Sequence, residues 1–505
     1  MLFNQLRIEW AANDQYAYGW FVPLLALGLL WRRWRDHPDG AGDQLQVSGV
    51  VAAGFFLLLF ALFPLRILEE SDVGWRTIWW VHAIILLALS YSLILRAAGK
   101  IWANHFAFPI FFLLVSVPWP FLIELPLVQG LMRSVAILTV VVINMLGIPA
   151  VRHGNLIEVS TGMVSVDGAC SGVRSLQTSL MATLLLGEMF RLRFKVRGIL
   201  VAVGFSLALV ANVARTSVLT WGAATRGMAY MEKSLHDPAG QIEEAFVLVA
   251  IYLCALLLAR REDKFHNSRV VNQPNAKVIP PATRHVPFSV FRISWLCAGF
   301  AWLVFAESST AYWFYRGDKQ AIVNPVWSVN WPVNATGYAE RRMTKIEQDV
   351  LRCDESRNAS WQEEDGNHWS MIALRWNPEN KNSFIGHEHT PDQCFTGAGW
   401  LLRGEPDPMW LNVNGIDLPM RRYIFNVGGK TVYAFLVFWD ERSPGGKQEL
   451  PLSYGFSRRV KAAWDGKRNQ GFKKLEIALQ GPTSVEDSLK VLHDGLQKLI
   501  QVNGH

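Results

Sequence analysis

Long runs of apolar residues, separated by short polar and basic segments, make up the first half of the chain. An α-helix needs about 20 residues to cross the hydrocarbon core of a bilayer, and several of these runs reach or approach that length. We therefore predict membrane-spanning helices at 18–31, 48–67, 77–96, 105–122, 172–190, 197–221 and 243–259.

The basic segments between the runs predict how the helices are oriented. RRWR follows the first run and RLRFKVR occupies 191–197, and both should face the cytoplasm because cytoplasmic loops carry an excess of Lys and Arg. When the spans between these two cytoplasmic segments are counted, both ends of the segment 123–150 fall on the outer side of the membrane. An interfacial or re-entrant helix satisfies that count, and the prolines and Arg133 of this segment suit it. The prediction is about seven spans plus an interfacial helix, with an external N-terminus.

The pattern changes after the membrane domain, which we place at 1–260. Residues 261–289 are polar and basic and predict a cytoplasmic linker, and 290–309 are apolar and predict one further transmembrane helix. From 310 to 505 apolar runs are short, and stretches such as 430–439 alternate as strands do. This part is predicted to be an extracytoplasmic α+β domain, with a helix near its end capped by Ser484.

Composition narrows the function classes. Hydrophobic residues make up 51% of the chain, and the net charge is +7. Because much of the Lys and Arg flanks apolar runs, it indicates contact with membrane lipid and not with nucleic acid. The five cysteines do not form a disulfide framework, although Cys353 and Cys394 share the outer domain, where an oxidising compartment would allow a disulfide.

No metal or other cofactor is predicted. His387, His389 and Cys394 lie close together in the sequence, but their spacing fits no standard zinc pattern and a fourth ligand is not evident.

Cys170 is the first candidate for chemistry, in an Asp-Gly-Ala-Cys-Ser-Gly turn that leads into a helix. The positive end of a helix dipole favours the thiolate, which is the nucleophilic form of cysteine. The flanking Gly168 and Gly172 permit a tight turn and leave space for a substrate backbone. The alternative is that Cys170 is a small apolar filler at the membrane interface.

Arg215 and His236 are the other two candidates. An arginine inside an apolar helix is costly unless it is paired or used, although Arg215 is near enough to the helix end to extend to the interface instead. His236 stands in a loop just before the next helix. All three candidates map to the outer surface, where they would supply a nucleophile, a general acid or base, and a group that binds an oxyanion or carboxylate.

Four polar residues nearby have possible supporting roles. Asp167 and Asp237 could orient His236, Asn212 could donate to an oxyanion, and Arg174 could hold a substrate carboxylate or a lipid phosphate. Helix capping and turn formation explain these residues about equally well.

Three motifs in this region resemble the exosortase and archaeosortase family of membrane transpeptidases. They are Ala-Cys-Ser-Gly at 169–172, Asn-Val-Ala-Arg at 212–215, and His236 followed by Gly240, and the similarity covers about residues 15–260. The resemblance implies that Cys170, Arg215 and His236 are catalytic. It also implies cleavage of exported proteins at a C-terminal sorting signal of the PEP-CTERM kind, through an acyl-enzyme on Cys170.

The expected setting of such an enzyme is the bacterial inner membrane, with the active site and the outer domain facing the periplasm. The segment HTPDQCFTGAGW at 389–400 is similar to a small periplasmic protein associated with exosortases. That likeness implies a link to the same exopolysaccharide-related pathway, with exopolysaccharide or another glycan as a further candidate partner.

A non-enzymatic function is the alternative interpretation. The chain would then be a membrane scaffold or transport component whose outer domain binds glycan through its tryptophans. Replacing Cys170 by Ala or Ser would leave such a protein functional.

Overall fold

The structure is a computed structural model with two compact units. It describes residues 2–38, 49–166, 172–270, 293–343, 347–348, 351–380, 382–397, 399–450, 455–468 and 470–503. One unit comprises 1–62 and 76–301, and the other comprises 63–75 and 302–505. The first is helical apart from one small sheet, and the second is built around a large antiparallel sheet.

Most helices of the first part of the chain fall on the predicted apolar runs, but the helices at 2–12 and 228–230 were not predicted. They are α1 (Leu2–Ala12), α2 (Phe21–Arg35), α3 (Gly49–Ser71), α4 (Arg76–Phe112), α5 (Phe121–Met145), α6 (Val173–Met189), α7 (Phe194–Arg226), α8 (Met228–Tyr230) and α9 (His236–Val270). Within the described residues, five helical stretches are long and apolar enough to cross a membrane: Ala52–Ser71, Arg76–Ser116, Phe121–Met145, Phe194–Arg226 and Met228–Glu262.

α4 is two antiparallel helical arms. Gly99 interrupts it with φ 83° and ψ 176°, a backbone conformation that glycine adopts readily. The Tyr91 hydroxyl donates to Asn104 Oδ1 at 2.7 Å, and the rings of Tyr91 and Phe111 are 6.2 Å apart, whereas twenty residues of straight helix would separate them by about 30 Å. The turn falls in the basic segment at 96–100, between the predicted spans 77–96 and 105–122.

α5 bears on the predicted topology. Residues 121–145 form one helix of 25 residues that is long and apolar enough to cross the bilayer. The interfacial or re-entrant helix at 123–150, which was inferred from loop charge, therefore stays a prediction. α2 and α6 have only 15 and 17 residues, so the predicted count of seven spans is not confirmed.

A three-stranded antiparallel sheet that was not predicted from the sequence lies between α5 and α6. Its strands are β1 (Val151–His153), β2 (Leu156–Val159) and β3 (Gly162–Ser165). Ile157 and Val164 pack in one apolar cluster with Ile143 of α5 and Leu219 of α7. This sheet fixes where the chain enters the segment that contains Cys170.

The second unit confirms a β-rich C-terminal domain. The main sheet has the order β10-β11-β12-β14-β8-β7-β6, and β9 pairs with β11. These strands are β6 (Thr336–Glu340), β7 (Glu355–Gln362), β8 (His368–Trp376), β9 (Leu401–Leu402), β10 (Asp407–Val413), β11 (Ile416–Val427), β12 (Lys430–Asp440) and β14 (Phe472–Gln480). Two small pairs join β4 (Ala321–Val323) to β13 (Arg442–Pro444) and β5 (Val326–Val329) to β15 (Ile500–Asn503).

The helices of this part of the chain are α10 (Ile293–Gln320), α11 (Phe384–Glu388), α12 (Pro391–Gly397), α13 (Phe456–Trp464) and α14 (Val485–Leu499). The Ser484 hydroxyl accepts from the backbone N–H of Asp487 at 3.1 Å, as the predicted cap requires, and α14 packs on the sheet. α10 covers residues 293–309 of the transmembrane helix predicted at 290–309, and residues 290–292 lie outside the described residues. α10 is not among the five apolar stretches, so that span stays a prediction.

Most of the tryptophans in the sheet serve as core residues. Trp361 and Trp369 are fully buried and stack at 5.7 Å, and Trp376 is fully buried on the opposite face. Alternation along β7 and β8 places these large rings inward, where they exclude water from the centre of the domain.

Candidate active site

The candidate site is built where α6, α7 and α9 pack together. Gly172 precedes α6 in the left-handed conformation, with φ 80°. A Cβ atom at Gly172 would lie 2.7 Å from Asn212 Nδ2, so only glycine lets the start of α6 approach α7 so closely. Asn212 is fully buried at this contact.

Arg215 lies about one turn beyond Asn212 on α7 and points towards α9. Its side chain is 11% exposed, and Nη1 lies 3.7 Å from Glu243 Oε2. A Cβ atom at Gly240 would be 3.2 Å from Arg215 Nη2, which means that the missing side chain makes room for the guanidinium. Arg215 is therefore largely enclosed against a carboxylate and does not extend to the interface, and such pairing stabilises a charge inside an apolar helix.

Glu243 is the central residue that sequence reasoning missed. It is buried, and its Oε1 accepts a hydrogen bond of 2.6 Å from the Ser175 hydroxyl while Oε2 faces Arg215. One carboxylate thus links α6, α7 and α9. The available signal was an acidic residue in the apolar stretch of α9, two helical turns after His236.

His236 opens α9, and its Nδ1 lies 3.0 Å from Asp237 Oδ1. The predicted contact between these two residues is therefore present, although Asp237 is largely exposed. His236 precedes Gly240 by four residues, so the two lie on one face of the helix. Since Gly240 lies against the Arg215 guanidinium, the structure brings His236 to the same part of the site.

Arg174 forms an ion pair at the surface. Its Nε and Nη2 lie 3.1 and 3.3 Å from the two carboxylate oxygens of Glu244, in a bidentate pair. Exposed pairs of this kind contribute little to stability. Contact of Arg174 with a substrate carboxylate or a lipid phosphate stays a prediction.

Cys170 and Asp167 lie outside the described residues, but both ends of their segment are fixed on α7. Val166 is buried in a cluster with Leu219, and Gly172 contacts Asn212. Asn212 and Leu219 are seven residues apart, about 10 Å along the helix axis, and Arg215 lies between them.

The transmembrane exosortase family model matches residues 10–273. The chain belongs to the transmembrane exosortase family. This family consists of membrane transpeptidases that sort exported proteins, and the match includes α6, α7 and α9. Comparison with curated proteins and with solved structures gave no match.

The second unit of this exosortase holds the other candidate cluster. Cys394 Sγ lies 3.9 Å from His389 Nδ1, and Cys353 and Cys394 are both free thiols, not joined in a disulfide. Among the residues that the structure describes, no three His, Cys, Asp or Glu side chains are arranged to hold a metal ion.

Proposed function

We propose that this exosortase cleaves exported proteins at a C-terminal sorting signal of the PEP-CTERM kind and transfers them to an acceptor through a thioester on Cys170. The observation that carries the proposal is the Arg215 guanidinium, which Glu243 holds between the starts of α6 and α9. A fixed cation beside a histidine and a glycine-rich cysteine segment matches the needs of acyl transfer.

Chain geometry supports a role for Cys170 in this site. Two peptide units separate it from Gly172, so their α-carbons are at most about 7 Å apart. Gly172 contacts Asn212, which precedes Arg215 by about one turn of α7. The thiol is thus tethered to the part of the helix that presents the guanidinium.

Each residue has one task in the proposed reaction. The Cys170 thiolate adds to the scissile carbonyl carbon, and Arg215 donates hydrogen bonds to the oxygen as it becomes negative. His236 gives a proton to the leaving amine, the C–N bond breaks, and a thioester remains on Cys170. An acceptor amine then attacks the thioester and passes its proton to His236, and the thiolate leaves.

The proposed setting is the bacterial inner membrane. The site and the domain at 310–505 would face the periplasm, with 261–289 as a cytoplasmic linker and 290–309 as a further span. The likeness of 389–400 to an exosortase-associated protein supports a role for the outer domain in the same pathway.

The deciding experiment follows a tagged exported protein with a C-terminal sorting signal in cells that carry wild type, Cys170→Ala or Cys254→Ala. Cys254 is a suitable control because it packs in an apolar cluster of α9 with no polar role. We expect wild type and Cys254→Ala to shorten the substrate and Cys170→Ala to leave it intact. Normal processing by Cys170→Ala would refute the thiol mechanism and leave a scaffold.

The glycan-binding scaffold gains no support from the outer domain. Its largest group of tryptophans, including Trp361, Trp369 and Trp376, fills the two faces of the sheet and is closed to a ligand.

A further inference from the structure

The second unit includes the last turns of a membrane helix. Residues 63–75 belong to this unit, and Ala52–Ser71 of α3 is apolar enough to cross the bilayer. α10 runs beside these turns, with the Phe63 ring 6.3 Å from Trp302 and Arg66 Nε 3.0 Å from Glu307 Oε1. The bilayer surface therefore passes through this unit close to the end of α3.

The short helix α13 (Phe456–Trp464) lies across the ends of both helices. At its start, the Phe456 ring packs edge-on at 5.4 Å against Trp75, and Arg459 Nη1 lies 2.6 Å from Asp72 Oδ2. At its end, Trp464 lies 6.5 Å from Trp313 of α10. Asp72 directly follows the last residue of α3, so α13 is held at the level where the span ends.

Two large aromatic side chains on α13 are nevertheless exposed in the structure. Phe456 is 70% exposed and Trp464 is 77% exposed, and a separation of eight residues puts them within about 80° of each other on the helix. On α10, Tyr312 and Tyr315 are also exposed, within three residues of Trp313. Aromatic residues concentrate at this level of membrane proteins because their rings favour the interface between hydrocarbon and water.

The charges of α13 do not explain this surface. Arg458 Nη2 lies 3.0 Å from Glu449 Oε2, and Arg459 is paired with Asp72. Because these two guanidinium groups already have carboxylate partners, attraction to anionic lipid is not needed to bring α13 to the membrane.

We propose that Phe456 and Trp464 insert into the phospholipid interface, so that α13 lies on the membrane surface beside the end of α3. A cleft of about 1270 Å³ is lined by residues of α13 such as Lys461, by Asp72, and by Asp318 near the end of α10. Insertion of α13 holds this cleft at the level of the lipid headgroups. The proposal does not depend on the reaction proposed for Cys170.

The test uses the full chain in nanodiscs of phosphatidylcholine, with an environment-sensitive fluorescent amino acid in place of Phe456. The matched control carries the same probe in place of Trp410, which is 46% exposed on β10 of the sheet. With lipids brominated on the acyl chains, we expect quenching at least about threefold stronger at 456 than at 410. Raising the salt to about 0.5 M should not change it, since aromatic insertion is not screened.

Two outcomes would overturn the proposal. Equal quenching at the two positions would show that α13 is in water. A blue-shifted probe at 456 that brominated lipid does not quench would show a protein contact instead. If substitution of Phe456 prevents folding, the same probe in place of Trp464 gives an independent measurement of quenching by the lipid.

Discussion

Both units of this exosortase bury apolar clusters, but among the described residues the helical unit exposes more large apolar side chains. In the helical unit, Leu122 and Phe194 are 85% and 91% exposed while Arg76 and Glu243 are buried. In the second unit the large rings of Trp361 and Trp369 are buried. Lipid stabilises exposed apolar side chains, and water does not, so the surface of each unit reflects its solvent.

Buried charges in the helical unit occur both beside the motif residues and away from them. Arg76 lies 3.2 Å from Glu9 and also pairs with Glu124, whose Oε1 accepts from the Tyr16 hydroxyl at 3.0 Å. This network joins four helical segments and contains none of the motif residues. Arg215 and Glu243 form another network, which lies beside His236 and the Cys170 segment.

α6 connects the two networks. The Ser175 hydroxyl donates to Glu243, and two residues later Gln177 Nε2 donates to the Tyr16 hydroxyl at 3.2 Å. Mutations can therefore test whether the buried charges beside His236 act in the proposed reaction while those around Arg76 only stabilise the fold.

The largest effect is expected from Arg215→Lys. Lysine keeps the charge but loses the second donor and the planar fork, so substrate cleavage should fall by about 10²–10³-fold. Arg226→Lys is the matched control, since Arg226 lies at the end of the same helix over the Tyr230 ring. Single-turnover cleavage of a purified substrate by both variants measures the difference; equal rates would contradict the assigned role.

Glu243→Gln tests whether the carboxylate positions Arg215. We expect a loss of about 10–100-fold in cleavage rate, because the guanidinium would lose its anchor while the shape of the site is kept. Glu244→Gln removes only the surface partner of Arg174 and should change the rate less than about threefold. A loss of the same size in both variants would show that neither carboxylate acts through Arg215.

The stability of the second unit should depend on pH through His387. Burial, with Arg458 and Arg459 nearby, lowers the pKa of His387 from 6.5 to about 3, so the unfolded chain binds more protons than the folded one between these values. Stability should therefore fall as the pH drops below 6.5, by about 2 kcal/mol at pH 5 from this group.

His387→Gln tests that dependence. Urea unfolding of the full chain in detergent, followed by tryptophan fluorescence at pH 7.5 and pH 5, should show a smaller difference in the variant than in wild type. His389, whose pKa burial lowers to about 4, acts in the same direction, and Asp440, whose pKa burial raises to about 6, opposes it. His493→Gln, at an exposed position, should leave the difference unchanged.

The smallest expected effect is on the stability of two glycine variants of the helical unit. Together they distinguish the cost of a left-handed backbone from the cost of a steric clash. Gly147→Ala and Gly172→Ala both place a side chain in the left-handed region, at φ 78° and 80°, which costs about 1 kcal/mol. Only Gly172→Ala also meets Asn212, so it should lose about 1 kcal/mol more and should reduce cleavage as well. Equal thermal stability and equal activity of the two variants would show that the contact with Asn212 is unimportant.

Much of the fold follows from local sequence. The apolar runs predicted most of the helices, the gap between the predicted spans 77–96 and 105–122 contains the turn of α4, and alternation predicted the strand at 430–439. These elements can be predicted because the residues that a helix or strand turns to one side recur at a fixed period. The count of spans was not readable in this way, because loop charge placed α5 in the interface although its 25 residues can cross the bilayer.

The residues of the candidate site also divide into those that the sequence predicted and those that it did not. Arg215 and His236 were recognisable from the sequence because a cation in an apolar helix and a histidine in a motif stand out on their own. Glu243 and Ser175 were not, since nothing local shows that two residues 68 positions apart share a hydrogen bond.

The sequence by itself therefore determined which segments are apolar, where the motif residues fall, and that the chain changes character after 310. Only the tertiary structure decided that Glu243 holds Arg215 and that a small sheet fixes the start of the Cys170 segment. It also decided that residues 63–75 pack with 302–505 in the second unit. The reason is physical: solvent preference is a property of each residue, whereas a contact is a property of a pair brought together by the packing of the whole chain.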